Sequence, residues 1–355
     1  MASGEIRVLV VEDDGVVRRF LVFLLKRDPD IGEVLTAADG QEALALIARE
    51  RPDVVTMDIV LPGIDGLEVT RRIMESSPVP IVVVSSSIDR GNVSTVLQAL
   101  EAGAVAALPH PPAIGTPGHD AAASEFVRTV KAMAGVKLVT RRPWTVRPSR
   151  PAPPELPPPR AFAGRPVRVV AIGASAGGPT VLQGILQGLE PGFPVPILVV
   201  QHIDGSFAEG LASWLATGIP LPVRVAVEGE VPTNGTVYLA PADRHLGLRP
   251  DGCLSVSEAP RESGLRPAVS FLFRSVGEAF GARCLAILLT GMGADGAAEM
   301  KRLHDIGAVT VAQDEASSLV HGMPGEAIRL GGARHVLAPP AIAELIVATV
   351  GRGGP

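Results

Sequence analysis

Aromatic residues are scarce: they make up 3% of the 355 residues, with one Tyr and two Trp, against 46% hydrophobic residues in all. The interior must therefore be built from Val, Leu, Ile and Ala, which suits the buried strands and covering helices of α/β domains. Cysteine is nearly absent. Cys253 and Cys284 each stand in an apolar, strand-like run, so buried free thiols are expected rather than a bridge, and nothing points to an oxidising compartment. No run of about 18 apolar residues occurs, and the start of the chain, with Glu5 and Arg7 flanking a short apolar run up to Glu12, lacks the basic opening and long apolar stretch of a signal peptide. A soluble, cytoplasmic protein with no membrane insertion is the expectation. A basic field is missing too: the net charge is −5, divided as −7 over residues 1–135, +5 over 136–164 and −3 over 165–355. Neither acidic part is built electrostatically for nucleic acid.

Length favours two cores, because single cores stop growing at about 250 to 300 residues. In the first part, short apolar runs at Ile6–Val11, Asp53–Met57, Pro80–Val84 and Ala104–Leu108 alternate with helix-period segments at Val16–Arg27, Gln41–Glu50, Leu67–Glu75 and Val93–Ala102. That rhythm predicts a parallel sheet with helices on both faces. Arg and Pro then become dense, most of all in Pro151–Pro159, a stretch that can join neither sheet nor helix. The division expected is therefore a first domain over residues 1–135, a linker over 136–165 and a second domain over 166–355.

The second domain opens with an apolar strand at Val167–Ile172, a glycine turn at Gly173–Gly178 and a helix-like Thr180–Leu189. Further strands are predicted at Ile197–Val200, Val237–Leu239, Cys284–Leu289 and Val309–Ala312, with a hairpin at Asp251-Gly252. Helices are predicted at Phe207–Ala216, Ala268–Phe280, Ala297–Asp305, Gly325–Leu330 and Ala341–Val350. Another mainly parallel α/β unit with one antiparallel excursion follows.

Ligands of doubly wound sheets sit beyond the carboxyl ends of the strands. Glu12 and Asp13 end the first predicted strand and Asp58 ends the third, so three carboxylates should converge, and a hard divalent cation such as Mg²⁺ would offset their repulsion. Taken singly, Asp13, Asp14 and Asp58 each read first as ordinary strand-end turn residues, and it is the set that points to a cation. In the second domain Gly173-Ala174-Ser175-Ala176-Gly177 matches G-x-S-x-G and stands between strand and helix, where a nucleophile turn belongs. A glycine turn before a helix also binds anions, so the motif alone leaves hydrolase and phosphate-binding readings open. A nucleophilic serine needs an oriented base. His202 ends one predicted strand and Asp295 follows another, within Gly291–Gly296. An ordinary α/β-hydrolase order would recruit His321 or His335 in place of His202. A first domain joined to a DNA-binding output domain and a silent scaffold are the readings from other classes.

Residues 1–135 resemble the response-regulator receiver family at Val-Glu-Asp-Asp 11–14, at Met57-Asp58-Ile59 with Leu61–Gly66, and at Val84-Ser85-Ser86. The resemblance implies a flavodoxin-like, five-stranded domain in which Asp58 accepts a phosphoryl group from a histidine kinase. It also implies that Glu12 and Asp13 help to hold Mg²⁺ and that Ser85 turns toward the phosphoryl group. Two positions depart from the pattern: His110 stands where a lysine would contact the phosphoryl group, and Ala107 stands where an aromatic switch residue is usual. The second domain is similar to the CheB family of protein-glutamate methylesterases at residues 173–179, 200–202, 238–245, 289–296 and 313–318. That likeness implies Ser175 as nucleophile, His202 as base, Asp295 as orienting acid and oxyanion donors at the backbone of Ala176 and Met292. It implies methylated chemoreceptors as substrate, no cofactor for ester cleavage, and deamidation of glutamine as a related activity. The segment Leu265–Ser270, where the family often ends in Asp, is expected to bear on substrate contacts and not on the triad.

Overall fold

A computed structural model describes residues 5–85, 93–136, 166–203 and 208–350; the linker expected over 136–165 lies, apart from Val136, outside them. The first part alternates β1 (Ile6–Val11), α1 (Gly15–Leu25), β2 (Ile31–Ala37), α2 (Gly40–Glu50), β3 (Val54–Met57), α3 (Gly66–Ser76), β4 (Ile81–Val84), α4 (Val93–Ala102), β5 (Ala106–Leu108) and α5 (His119–Ala134). The five strands form a parallel sheet in the order β2-β1-β3-β4-β5. Val8 to Val11 of β1 and Ile81 to Val84 of β4 are almost wholly buried, as strands covered on both faces must be.

Helix starts are set by aspartates. Asp14 accepts from Val16 N at 2.7 Å and Val17 N at 3.1 Å, Asp39 from Gln41 N at 2.8 Å and Glu42 N at 2.9 Å, and Asp65 from Leu67 N at 2.7 Å. Each satisfies amide hydrogens that the first helical turn leaves without a partner. Asp14 thus belongs to a cap, and these bonds hold its carboxyl below the usual range.

The second part contains β6 (Val169–Ala174), α6 (Gly178–Gln187), β7 (Ile197–Gln201), α7 (Ala208–Gly218), β8 (Val223–Val225), β9 (Val237–Leu239), β10 (His245–Leu248), β11 (Leu254–Ser257), α8 (Val269–Phe280), β12 (Cys284–Leu288), α9 (Ala297–Asp305), β13 (Val309–Gln313), α10 (Met323–Arg329), β14 (His335–Leu337) and α11 (Pro339–Val350). Seven strands make one parallel sheet, β14-β13-β12-β6-β7-β9-β8, while β10 and β11 form a separate antiparallel pair. The Asp251-Gly252 turn joins that pair, with Gly252 at φ 87°, a conformation glycine adopts without a Cβ penalty. Cys284 is buried, and burial pushes its thiol up to about 12. Cys253, by contrast, is half-buried beside that turn, because a strand entrance on a two-stranded ribbon has little to cover it. No helix among the described residues is long and apolar enough to cross a membrane.

Both large sheets reverse direction in strand order beside their first strand, the first between β1 and β3 and the second between β6 and β12. Crevices at such points are where this architecture binds ligands.

Candidate active site and acidic pocket

Ser175 follows β6, His202 follows β7, and Asp295 stands in the loop after β12, so the three come from neighbouring strands at the middle of the seven-stranded sheet. The register makes this close. Leu288 pairs with Gly173, and Ala174 pairs with Gln201. Ser175 N donates to Thr290 O at 3.0 Å and His202 N donates to Ala174 O at 2.9 Å, which extends the ladder past the strand ends. The turn is tight: Gly178 N donates to Ser175 O at 2.8 Å, and Gly177 opens α6 at φ 75°.

The His202 Nε2 lies 2.9 Å from Asp295 Oδ2. Asp295 is 9% exposed, and a lone carboxylate there would be costly. Its oxygens are answered in full: Val269 N reaches Oδ2 at 2.6 Å, while Ser270 N at 3.0 Å and Ser270 Oγ at 2.6 Å reach Oδ1. These backbone donors are the first turn of α8, whose dipole favours an anion. Burial pushes the Asp295 carboxyl up, but the bonds from His202 and Ser270 outweigh it and hold the group below its usual range. A carboxylate accepts only, so the His202 hydrogen sits on Nε2 and Nδ1 is the basic nitrogen.

Ser270 therefore corrects the sequence reading. Its hydroxyl touches Asp295 and also accepts from Gly296 N at 2.9 Å, so this departure bears on the acid's support. Three further residues were not read as functional from the sequence. Gln201 donates to Ser175 O at 2.8 Å and His202 O at 3.0 Å, tying the nucleophile's turn to the base's loop. Thr290 Oγ1 donates to Ala176 O at 2.9 Å, and Gln313 Oε1 accepts from Thr290 N at 2.8 Å. Buried polar residues closing the parallel strands β7 and β13 were the available signal.

Among the described residues Ser175 Oγ makes no hydrogen bond with His202, and the backbone N–H groups of Ala176 and Met292 make none at all. Met292 is 40% exposed, and its loop is drawn in beside the serine: a Cβ on Gly291 would stand 2.7 Å from Ser175 Cβ. The other histidines are differently placed. His321 pairs through its backbone with Gly291 beside the serine, but its Nδ1 meets Ser318 Oγ at 3.3 Å, and His335 opens β14, three strands from β6, about 14 Å away at ordinary strand spacing.

In the five-stranded part, Glu12 (2% exposed) follows β1 and Asp58 (7% exposed) follows β3. Ser85 is fully buried after β4 and hydrogen bonds to Asp58. Burial first, and the charge of Glu12 second, push the Asp58 carboxyl up. His110 Nε2 lies 3.1 Å from Glu12 Oε2. Glu12, Asp58 and His110 bring ligand atoms within 4.8 Å of one another, whereas Asp13 is exposed and does not enter that group. Gly66 packs its backbone on this turn, where a Cβ would stand 2.0 Å from Asp58 O. Ala107 lies half-buried on β5, with no ring to move.

The chain matches the family model for the CheB methylesterase over residues 170–346 and that for the response regulator receiver domain over residues 8–114. It is 50% identical over 340 residues, 95% of this chain and 96% of the relative, to a protein-glutamate methylesterase/protein-glutamine glutaminase of Geobacter metallireducens. It is 46% identical over 355 residues, 100% of both, to a protein of the same name from Myxococcus xanthus. The solved CheB methylesterase catalytic domain of Thermotoga maritima superposes with TM-score 0.50 and 36% identity, covering 51% of this chain and 98% of that one. The chain belongs to the CheB methylesterase family, with a response-regulator receiver domain ahead of the methylesterase domain.

Proposed function

We propose that this protein is a chemotaxis-type protein-glutamate methylesterase that hydrolyses glutamate γ-methyl esters of chemoreceptors to glutamate and methanol, and that it deamidates receptor glutamines by the same acyl transfer. The observation that carries the reading is the His202–Asp295 pair at 2.9 Å beside a G-x-S-x-G turn on the next strand. Ser175 Oγ attacks the ester carbonyl while His202 Nδ1 takes its proton; the hydroxyl meets the imidazole as substrate enters, since catalytic bonds are often loose without substrate. The backbone N–H groups of Ala176 and Met292 receive the oxyanion, each contributing roughly a hundred- to a thousandfold in turnover. Methanol leaves with the proton from His202. Water, deprotonated by the same nitrogen, then releases the glutamate, while Asp295 stabilises the imidazolium. The test is methanol release from methylated receptor: wild type releases it and Ser175→Ala does not.

The receiver is the proposed control element, with Asp58 phosphorylated by a histidine kinase. Glu12 and Asp58 are hard oxygen donors that fit Mg²⁺, which when bound offsets the negative charge of the pocket; Asp13 and Ser85 complete its rim, and His110 supplies a contact to the phosphoryl group. α4 packs against α6 and α7, the helices that follow Ser175 and His202, which supports a closed state relieved by phosphorylation. Two free thiols agree with a cytoplasmic setting.

A further inference from the structure

Three strand ends of the receiver supply donors of two kinds, two buried carboxylates and a half-buried imidazole. We infer that Glu12, Asp58 and His110 form a mixed-ligand divalent cation site that selects borderline cations such as Zn²⁺ over Mg²⁺. The inference rests on the proposed reading of Glu12 and Asp58 as a cation pocket and adds an imidazole ligand with the preference it brings.

Two of the three donors, hydrogen-bonded to each other in this structure, already stand at the spacing of ligands around one ion. The His110 Nε2 to Glu12 Oε2 separation of 3.1 Å is the spacing of two adjacent ligands each about 2.1 Å from a common cation. Asp58 lies within 4.8 Å of both, so a small contraction brings the third ligand in. Each donor leaves the end of a different strand of one parallel sheet, β1, β3 and β5, so the set sits on rigid supports. Charge argues the same way. Two carboxylates are buried side by side here, and a divalent cation offsets both. Imidazole then decides which cation. Mg²⁺ prefers an octahedron of oxygens and keeps its waters, whereas nitrogen ligands suit Zn²⁺, Cu²⁺ and related ions.

The test uses the full chain at neutral pH, titrated separately with Mg²⁺ and with Zn²⁺ by calorimetry, and with Cu²⁺ as a spectroscopic probe. The expected result is Zn²⁺ binding at least tenfold tighter than Mg²⁺. His110→Gln and His110→Lys should each weaken Zn²⁺ by about tenfold to a hundredfold and leave Mg²⁺ affinity within about threefold. Nitrogen hyperfine coupling in the Cu²⁺ electron paramagnetic resonance spectrum should be present in the wild type and lost in both variants. Equal affinity for the two ions, or Zn²⁺ affinity and nitrogen coupling that survive both substitutions, overturns the inference while Mg²⁺ binding lost in Asp58→Asn keeps the pocket itself. Failure of the wild type to bind any of the ions overturns the pocket reading as well.

Discussion

His202 meets Asp295 through Nε2, at 2.9 Å, and so presents Nδ1 as its basic nitrogen, the reverse of the arrangement in which Nδ1 faces the acid and Nε2 the serine. Asp295→Asn keeps the shape but turns an obligate acceptor into a group that can donate, which favours the wrong tautomer. Turnover should fall by about 10⁴ with KM little changed. His202→Ala should fall at least as far, whereas His321→Ala and His335→Ala should retain ester hydrolysis; steady-state kinetics on methylated receptor decides between them.

Ser270→Ala removes one donor from a buried carboxylate. Asp295 is held below its usual range in the folded state, so its contribution to stability is complete above the unfolded value of about 3.9 and is lost as pH falls through the depressed one. Removing the Ser270 hydroxyl brings the two values closer, with the bonds from His202 and the Ser270 N–H still in place. Acid unfolding followed by circular dichroism should move to higher pH, and Ser270→Thr, which keeps a hydroxyl, should move it back; coincident curves for wild type and Ser270→Ala would sink the idea.

Gly291→Ala should injure the nucleophile without touching the triad's chemistry. The new methyl would stand 2.5 Å from Met323 Sδ and 2.7 Å from Ser175 Cβ, closer than carbon contacts permit. A displacement of the serine by about 1 Å is enough for a loss near a hundredfold. Single-turnover rates with a small ester substrate measure it.

Asp58→Asn should raise the unfolding midpoint of the receiver by a few degrees at neutral pH. An acid whose folded value is raised gains stability as pH falls through that value and carries a penalty above it, the opposite sign to Asp295. The gain should vanish in acid, where wild-type Asp58 is itself protonated, and a scan against pH tests both halves of the statement. The same variant should take no label from acetyl phosphate.

Removal of residues 1–140 should raise basal methylesterase turnover, because α4 no longer packs on α6 and α7. Activity that is unchanged or lower rules out simple occlusion.

The buried strands were legible because both of their faces are covered, so Ile81–Val84 appears as an unbroken apolar run and Val54–Met57 as one interrupted by Thr56 alone. β2 did not stand out: Ile31–Ala37 is an edge strand with Gly32, Glu33 and Thr36 turned outward. β8 and β14, three residues each at the two margins of the larger sheet, carry Arg224 and His335 and are too short for an apolar period to stand out. α5 was hidden by its short side chains, Ala121 to Ala123, which give little contrast between faces. Within the site, Ser175, His202 and Asp295 announce themselves by residue type at strand ends. Gln201, Thr290, Gln313 and Ser270 do not, because their roles arise only when register brings one strand's end against the next.

The seven-stranded sheet has two strands on either side of β12, β6 and β7. Slow amide hydrogen exchange should therefore be concentrated in these three strands, with β14 and β8 opening first by local fraying. Partial unfolding from either margin can proceed some distance before the reactive serine loses its neighbours, so catalytic competence should outlast the first losses of secondary structure on heating.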